Sequence, residues 1–384
     1  MAAPNNTLTA LAPVLYSAAQ EVAAEPFGIV DSINATFDNK GVAKGDKVKI
    51  PIAPAATLGD FAPAAATPQG SDKTAAAVEV EITASKVTSW HLSGEQMRSL
   101  ANGGNDQEWV RQLVAQGMRA LRNQAEADCA AAIKGGACLA LGTAGTTPFA
   151  SDIDVIADAR KVLRDNGAPL SDLQLAVNTS SYLNMLKLGI VQQAYAAGSD
   201  AERRSGRLAP QFGFKIFESA GLTKHTACTG ADYVTDANGG NVAVGTTSFV
   251  VDTGTAAITA GDVFSIANAG SFQYVVAANL ANAAAGPLVI NKPGLRQLAA
   301  QNKALTFTAD YTPNFAFERA AVVGIMRPPI MPANPTINQM VISDNNGMSY
   351  LMLEIAQYGM ITWELHLAWG FKVVQPEYVV TLLG

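Results

Sequence analysis

Lys47-Val-Lys-Ile-Pro-Ile52 and Ala76-Ala-Val-Glu-Val-Glu-Ile82 are the two stretches that decide how this chain of 384 residues is read. Val48, Ile50 and Ile52 alternate with Lys47, Lys49 and Pro51, while Ala76, Val78, Val80 and Ile82 alternate with Ala77, Glu79 and Glu81. A period of two is that of a β-strand with one apolar face. Paired antiparallel as the arms of a hairpin, the lysines of one strand can share a face with the glutamates of the other, and each opposed pair contributes about 0.2–1 kcal/mol. The segment between them, residues 53–74, is rich in Ala, Pro and Gly and holds few large apolar groups, Leu58 and Phe61 among them. It cannot build a core of its own, and a two-stranded hairpin is marginal in isolation. The hairpin needs a surface to lie on. Lys47, Lys49, Leu58, Phe61, Glu79 and Glu81 are therefore the candidate interface residues.

On the N-terminal side, Leu8, Leu11, Leu15, Ala18 and Val22 recur at helical spacing, with Pro13 interrupting the helix or fixing its first turn. This amphipathic arm suits docking on a neighbour or an assembly partner, or equally packing on its own domain. On the C-terminal side, Val110, Val114, Met118, Leu121, Ala125, Cys129 and Ala132 form the apolar stripe of one long helix from Asn105 to about Lys134. Asn105 or Asp106 can cap its start and Gly135-Gly136 can end it, over about 40 Å. Ser151, with Asp154 three residues on, predicts a second helix with a capping-box-like start, stopped by Gly167 and Pro169. Leu173 to Thr179 reads as a strand followed by a helix through Leu188, an α/β unit, and the charged run 198–206 as a solvated loop.

From Leu222 to Thr312 the chain turns Thr-, Ala-, Gly- and Val-rich, with short strands at 248–252 and 263–266, as in a small inserted β-domain. A strand at 320–325, a Pro-rich link at 327–332 and a meander follow. The last strand is the clearest: Ile361, Trp363, Leu365, Leu367 and Trp369 face one way, and Thr362, Glu364, His366 and Ala368 the other.

Composition narrows the function. Charged residues make up 15% of the chain, against about 25% in ordinary soluble domains, which fits a surface covered by partners and equally a solvated surface on which Ala, Gly and Thr replace charge. A net charge of −6 argues against a protein that grips nucleic acid or an anionic membrane. Cys129, Cys138 and Cys228 are an odd set that suits a reducing compartment. Neither a signal peptide nor an apolar stretch of about 18 residues is visible, so a secreted or membrane-spanning protein is not expected. The phosphate-binding GxxxxGK[ST], the GxGxxG turn, the GxSxG elbow and HExxH are all missing from the sequence. His225 and Cys228 have the spacing of half a zinc site, but no second pair follows, and a loop position is the better reading. Asp152 and Asp154 are expected in the first turn of a helix, where carboxylates complement the dipole. No catalytic, cofactor-binding or metal-ligating residue is assigned, and an enzyme is not expected.

The order of parts resembles the tailed-bacteriophage major capsid, or HK97-like, fold. Gly213-Phe-Lys-Ile-Phe-Glu-Ser219, Gly245-Thr-Thr-Ser-Phe-Val-Val-Asp252 running to Ala260-Gly-Asp-Val-Phe-Ser-Ile266, and Pro313-Asn-Phe-Ala-Phe-Glu-Arg-Ala320 are similar to coat proteins of short-tailed phages that carry an inserted β-domain. The resemblance implies an α+β chain with an N-terminal arm (1–44), an extended β-hairpin or E-loop (45–92), and a peripheral domain with a long spine helix (93–150). It further implies the first part of an axial α/β domain (151–221), the small inserted β-domain (222–312) and C-terminal strands completing the axial and peripheral domains (313–384). It also implies self-assembly through hexamers and pentamers into an icosahedral shell, with Lys47, Lys49, Leu58, Phe61, Glu79 and Glu81 at subunit interfaces. A scaffolding protein and a portal would be the partners. DNA would be enclosed without sequence-specific binding, no membrane is involved, and the location would be the virion capsid, assembled in the host bacterial cytoplasm. A tail or surface-layer component, or an enzyme built on the α/β unit, are the alternatives.

Overall fold

The computed structural model describes residues 12–52, 76–102, 106–188, 206–236, 240–281, 285–332, 337–344 and 346–384. The chain opens with helix α1 (Ala12–Ala23), strand β1 (Asn34–Phe37), strands β2 (Lys47–Ile52) and β3 (Ala76–Glu81), strand β4 (Ala84–Ser93), helix α2 (Gly94–Asn102) and helix α3 (Asp106–Gly136). Next come β5 (Leu139–Leu141), α4 (Asp154–Asp165), β6 (Leu173–Asn178), α5 (Thr179–Lys187) and β7 (Phe214–Ser219). Six short strands follow: β8 (Val234–Asp236), β9 (Ser248–Asp252), β10 (Val263–Ile266), β11 (Gln273–Val275), β12 (Ala285–Val289) and β13 (Leu305–Phe307). The chain closes with β14 (Pro313–Glu318), β15 (Val322–Arg327), β16 (Ile337–Ser343), β17 (Ser349–Gln357), β18 (Met360–Val373) and β19 (Val379–Leu383).

Among the described residues, two large sheets organise this α+β chain. One runs β1-β15-β18-β17-β16, with β4 also paired to β18; the other runs β13-β10-β11-β5-β19-β14-β6-β7. A three-stranded sheet, β12-β9-β8, and the isolated pair β2-β3 complete the set. None of the helices is long and apolar enough to cross a membrane, among the described residues.

β18 is the hub of the first sheet. It spans 14 residues. One edge pairs antiparallel with β17 over Met360–His366 and then with β15 over Ala368–Val373; the other pairs with β4 over Met360–Trp369. The alternation seen in the sequence separates its two faces. Trp363, Leu365, Leu367, Trp369 and Phe371 point into the large core that also holds Val114, Met118, Leu121 and Ala125 of α3. The Trp369 indole N–H donates to the Asp128 carboxylate at 2.9 Å. Helix α3, 31 residues long and therefore about 46 Å, lies across this face. At Gly117 a Cβ would come within 3.0 Å of Thr88 and 3.4 Å of Trp90 of β4, so the helix sits close to the sheet there.

The apolar stripe of α1 docks on α3 of the same chain, the second of the two placements its pattern allows. Leu15, Ala18, Ala19 and Val22 are buried. Arg119 bridges Glu21 at 2.8 Å and Glu25 at 2.5 Å, and its hydrogen bond holds the Glu25 carboxyl below the ordinary carboxylate range. Arg122, itself buried, donates to the Val22 and Glu25 carbonyls at the end of α1 and stacks 4.3 Å from the Phe27 ring centroid. β1 then pairs in parallel with β15, so residues 12–37 are built into the body.

Three local expectations change. Helix α4 starts at Asp154, not Ser151; its N-cap is Ile153, with no side-chain cap, and Asp152 before it accepts from the Ser151 hydroxyl (2.9 Å) and the Asp154 N–H (3.2 Å). The strand expected at 320–325 begins at Val322, after a short 3-10 turn at Arg319–Ala321. Strands from 222–312 divide between two sheets: β8, β9 and β12 pair with one another, whereas β10, β11 and β13 extend the eight-stranded sheet through β5. Main-chain pairing therefore ties that stretch to the rest of the chain. The charged run at 198–206 lies, up to residue 205, outside the described residues.

Leu15→Ala is expected to cost about 2–5 kcal/mol of subunit stability, while Tyr16→Ala, at a position 40% exposed, costs under about 0.5 kcal/mol. Urea unfolding measures both; equal, small losses would show that α1 is not part of the folded body.

Candidate assembly interface

The β2–β3 pair forms with the register that its charges favour. Lys47 stands opposite Glu81 and Lys49 opposite Glu79. The ion pairs, however, converge on one carboxylate: Lys47 reaches Glu79 at 3.3 Å and Lys49 reaches it at 3.8 Å. All three side chains are 42–72% exposed, and exposed pairs of this kind contribute about 0–1 kcal/mol. Charge therefore selects the register without holding the hairpin to the body.

The root of the hairpin does that. Val80 and Ile82 are fully buried in a small cluster with Val42, Ile325 and Ala368, against which Val48 and Ile50 pack. Burying each such side chain contributes about 1.5–3 kcal/mol, more than the ion pairs together. Backbone bonds lock the same place: Gly45 N–H donates to Ile82 O and Ile82 N–H to Asp46 O, both at 2.9 Å. Thr83 N–H donates to Trp369 O at 3.1 Å, and Lys372 Nζ to Glu79 O at 2.9 Å. The hairpin thus rests on the face of β18 carrying Ala368, Gly370 and Lys372, away from α3. A polar cleft of about 190 Å³ remains at the junction, lined by Lys47, Glu79, Glu81, Thr83, Phe371 and Lys372. The structure so brings together Lys47, Lys49, Glu79 and Glu81; Leu58 and Phe61 lie outside the described residues. The pattern of the two strands does not reveal Thr83, Gly370 and Lys372. Gly370 carried a signal, since a lone glycine within an alternating strand marks a close backbone approach.

A second opening, a groove of about 340 Å³ lined by Leu92, Met97, Leu100, Val110 and Trp363 among others, lies between α2, the start of α3 and the sheet. It is apolar and offers no converging titratable groups.

The titratable groups that do converge are sealed. His225, expected in a loop, is buried: its Nδ1 meets Lys134 Nζ at 3.0 Å and its Nε2 meets Asp262 Oδ1 at 2.9 Å. Asp262 also accepts from the N–H groups of Cys228 and Thr259. Burial raises the Asp262 pKa, but the His225 contact and these backbone donors outweigh it and hold the carboxyl below the ordinary range. Burial likewise depresses the Lys134 amine. Cys228 Sγ is taken up by the Tyr233 hydroxyl at 3.2 Å and the Gly230 N–H at 3.3 Å. Both ring nitrogens of His225 are occupied by protein, so the cluster presents no free base to a substrate. Among the described residues no three His, Cys, Asp or Glu side chains gather to hold a metal ion.

No protein-family model and no curated protein matches the chain. Among solved structures it is similar to the capsid of the cyanophage P-SCSP1u, at 12% identity over 91% of this chain and 86% of that one, with a TM-score of 0.48. It is also similar to the capsid of Ralstonia phage GP4, at 10% identity over 91% and 86%, with a TM-score of 0.45. A virus-like particle from Pyrococcus furiosus matches at 9% identity over 97% of both chains, with a TM-score of 0.42.

The depressed Asp262 carboxyl makes a pH prediction. Its stabilisation is complete above the unfolded-state pKa of about 3.9 and is lost as pH falls through the lower folded-state value. Asp262→Asn is expected to flatten the fall in subunit stability below about pH 4, followed by chemical denaturation at several pH values. An unchanged acid slope would contradict the assigned hydrogen-bond set.

Proposed function

We propose that this chain is the major capsid protein of a tailed bacteriophage, a non-catalytic subunit of HK97-like fold that assembles through hexamers and pentamers into an icosahedral shell enclosing phage DNA. The observation that carries this reading is the β2–β3 hairpin. Its strands belong to neither large sheet, rest on β18 through their root, and present Lys47, Lys49 and Glu79 to solvent. A lone pair of strands is stabilised by the surface it lies on; in a shell that surface is the adjacent subunit.

In this assignment residues 45–92 are the E-loop, with Lys47, Lys49, Leu58, Phe61, Glu79 and Glu81 at the subunit interface. Residues 93–150 carry the spine helix of the peripheral domain, and 151–221 with 313–384 supply the axial domain and complete the peripheral one. Residues 1–44 are the arm and 222–312 the insertion, joined to the axial sheet through β10, β11 and β13. The low charge content of the chain suits extensive subunit interfaces, whose centres are depleted of charge. A scaffolding protein and a portal are the expected partners, with assembly in the host cytoplasm and DNA held without sequence-specific contacts.

Reversing Lys47 and Lys49 to Glu places like charges opposite one another across the hairpin. Subunit stability is expected to change by less than about 1 kcal/mol, while shell yield, read by sedimentation of the expressed protein, falls. Adding Glu79→Lys and Glu81→Lys restores the opposed signs and should restore shells. Wild-type protein that stays monomeric with its scaffolding partner present would refute the function; failure of the fourfold variant to recover would refute the role of strand pairing in assembly.

A further inference from the structure

Gly370 interrupts the most regular strand of the chain, yet its φ is not in the left-handed region and β18 continues through it without a break. The need for a glycine comes from the segment across from it. A Cβ at 370 would stand 2.0 Å from the carbonyl oxygen of Glu81, 2.9 Å from its carbonyl carbon and 3.1 Å from the Cα of Ile82. All three are backbone atoms, so no rotation of a neighbouring side chain relieves the overlap. The same contact is gripped on either side by Thr83 N–H on Trp369 O and by Lys372 Nζ on Glu79 O. Val80 and Ile82 are buried against Ala368 and Ile325 beneath it.

We propose that Gly370 is the positioning residue of the hairpin: by lacking a side chain it lets the returning strand seat on β18 backbone to backbone. β2 and β3 then leave the body along one fixed line and meet the neighbouring copy as a lever and not as a loose flap. This rests on the shell-subunit function proposed above. Gly286 supplies the contrast. A Cβ there would meet Cδ1 of Leu280 at 2.5 Å, the end of a side chain, so a substitution at 286 can be relieved by trimming Leu280. At 370 nothing can be trimmed.

Hydrogen exchange on the unassembled full-length subunit, paired with electron microscopy of shells, tests this in wild type, Gly370→Ala and the control Gly286→Ala/Leu280→Ala. Wild type should protect the amides of Gly45, Ile82 and Thr83. Gly370→Ala should lower that protection about tenfold or more, leave β17 protected, and give fewer shells or shells of uneven diameter. The control should keep wild-type protection at the root. If Gly370→Ala does not fold, Lys372→Met takes its place, with loss of protection expected over 79–83. The proposal is overturned if the wild-type root exchanges as fast as an exposed loop, if Gly370→Ala keeps both root protection and wild-type shells, or if its substitute Lys372→Met leaves 79–83 unchanged. A wild type that forms no shells removes the assembly function instead, and the exchange data still judge the seat.

Discussion

One strand with two occupied faces is the constraint on which the rest of this structure depends. The pleat of β18 sends Trp363, Leu365, Leu367 and Trp369 towards the long helix and Ala368, Gly370 and Lys372 towards the hairpin. Because side chains alternate with a period of two, a slip of one residue would exchange the two sets and remove both the helix seat and the hairpin seat. Three partners fix that register. β4 holds one edge, and β17 and β15 share the other in succession, so that Ala368 and Trp369 are paired on both sides. A shift would break ladders on both sides at once.

Away from β18, buried polar groups tie the layers together. Arg122 gathers the carbonyls that end α1. Asn291 donates to the Gly135 and Ala137 carbonyls at the end of α3 (2.9 and 3.0 Å), and Lys134, the residue before Gly135, meets His225. Both partners come from the 222–312 stretch, so the far end of the long helix is fastened to it by hydrogen bonds as well as by the shared sheet. An unpaired buried polar group costs about 1–3 kcal/mol, so the pairing makes these junctions specific.

Much of this is legible in the sequence wherever one residue pattern admits one physical solution. The hairpin register followed from lysine facing glutamate, the two faces of β18 from strict alternation, and the long helix from an apolar stripe ended by two glycines. Other features depend on which surfaces meet. The α1 stripe says that something covers Leu15 and Val22 without saying that α3 of the same chain does. β4, with Ser85, Val87, Ser89 and His91 on one face, has no marked apolar alternation and becomes a strand because β18 offers it an edge. Strands of three residues such as β5 and β11 carry too little pattern to reveal that they join one sheet. The candidate interface was legible in its charges and largely hidden in its anchor: Thr83 acts through a backbone N–H that no side-chain pattern reports, and only the lone glycine at 370 gave a sign of the seat.

Cryo-electron microscopy of the particles formed by the expressed protein tests the central claim most directly. The account predicts closed shells with fivefold and sixfold capsomers, in which density for the β2–β3 hairpin leaves its seat on β18 and continues over the adjacent subunit. Shells in which the hairpin folds back along its own subunit, or no assembled particles at all, would contradict it.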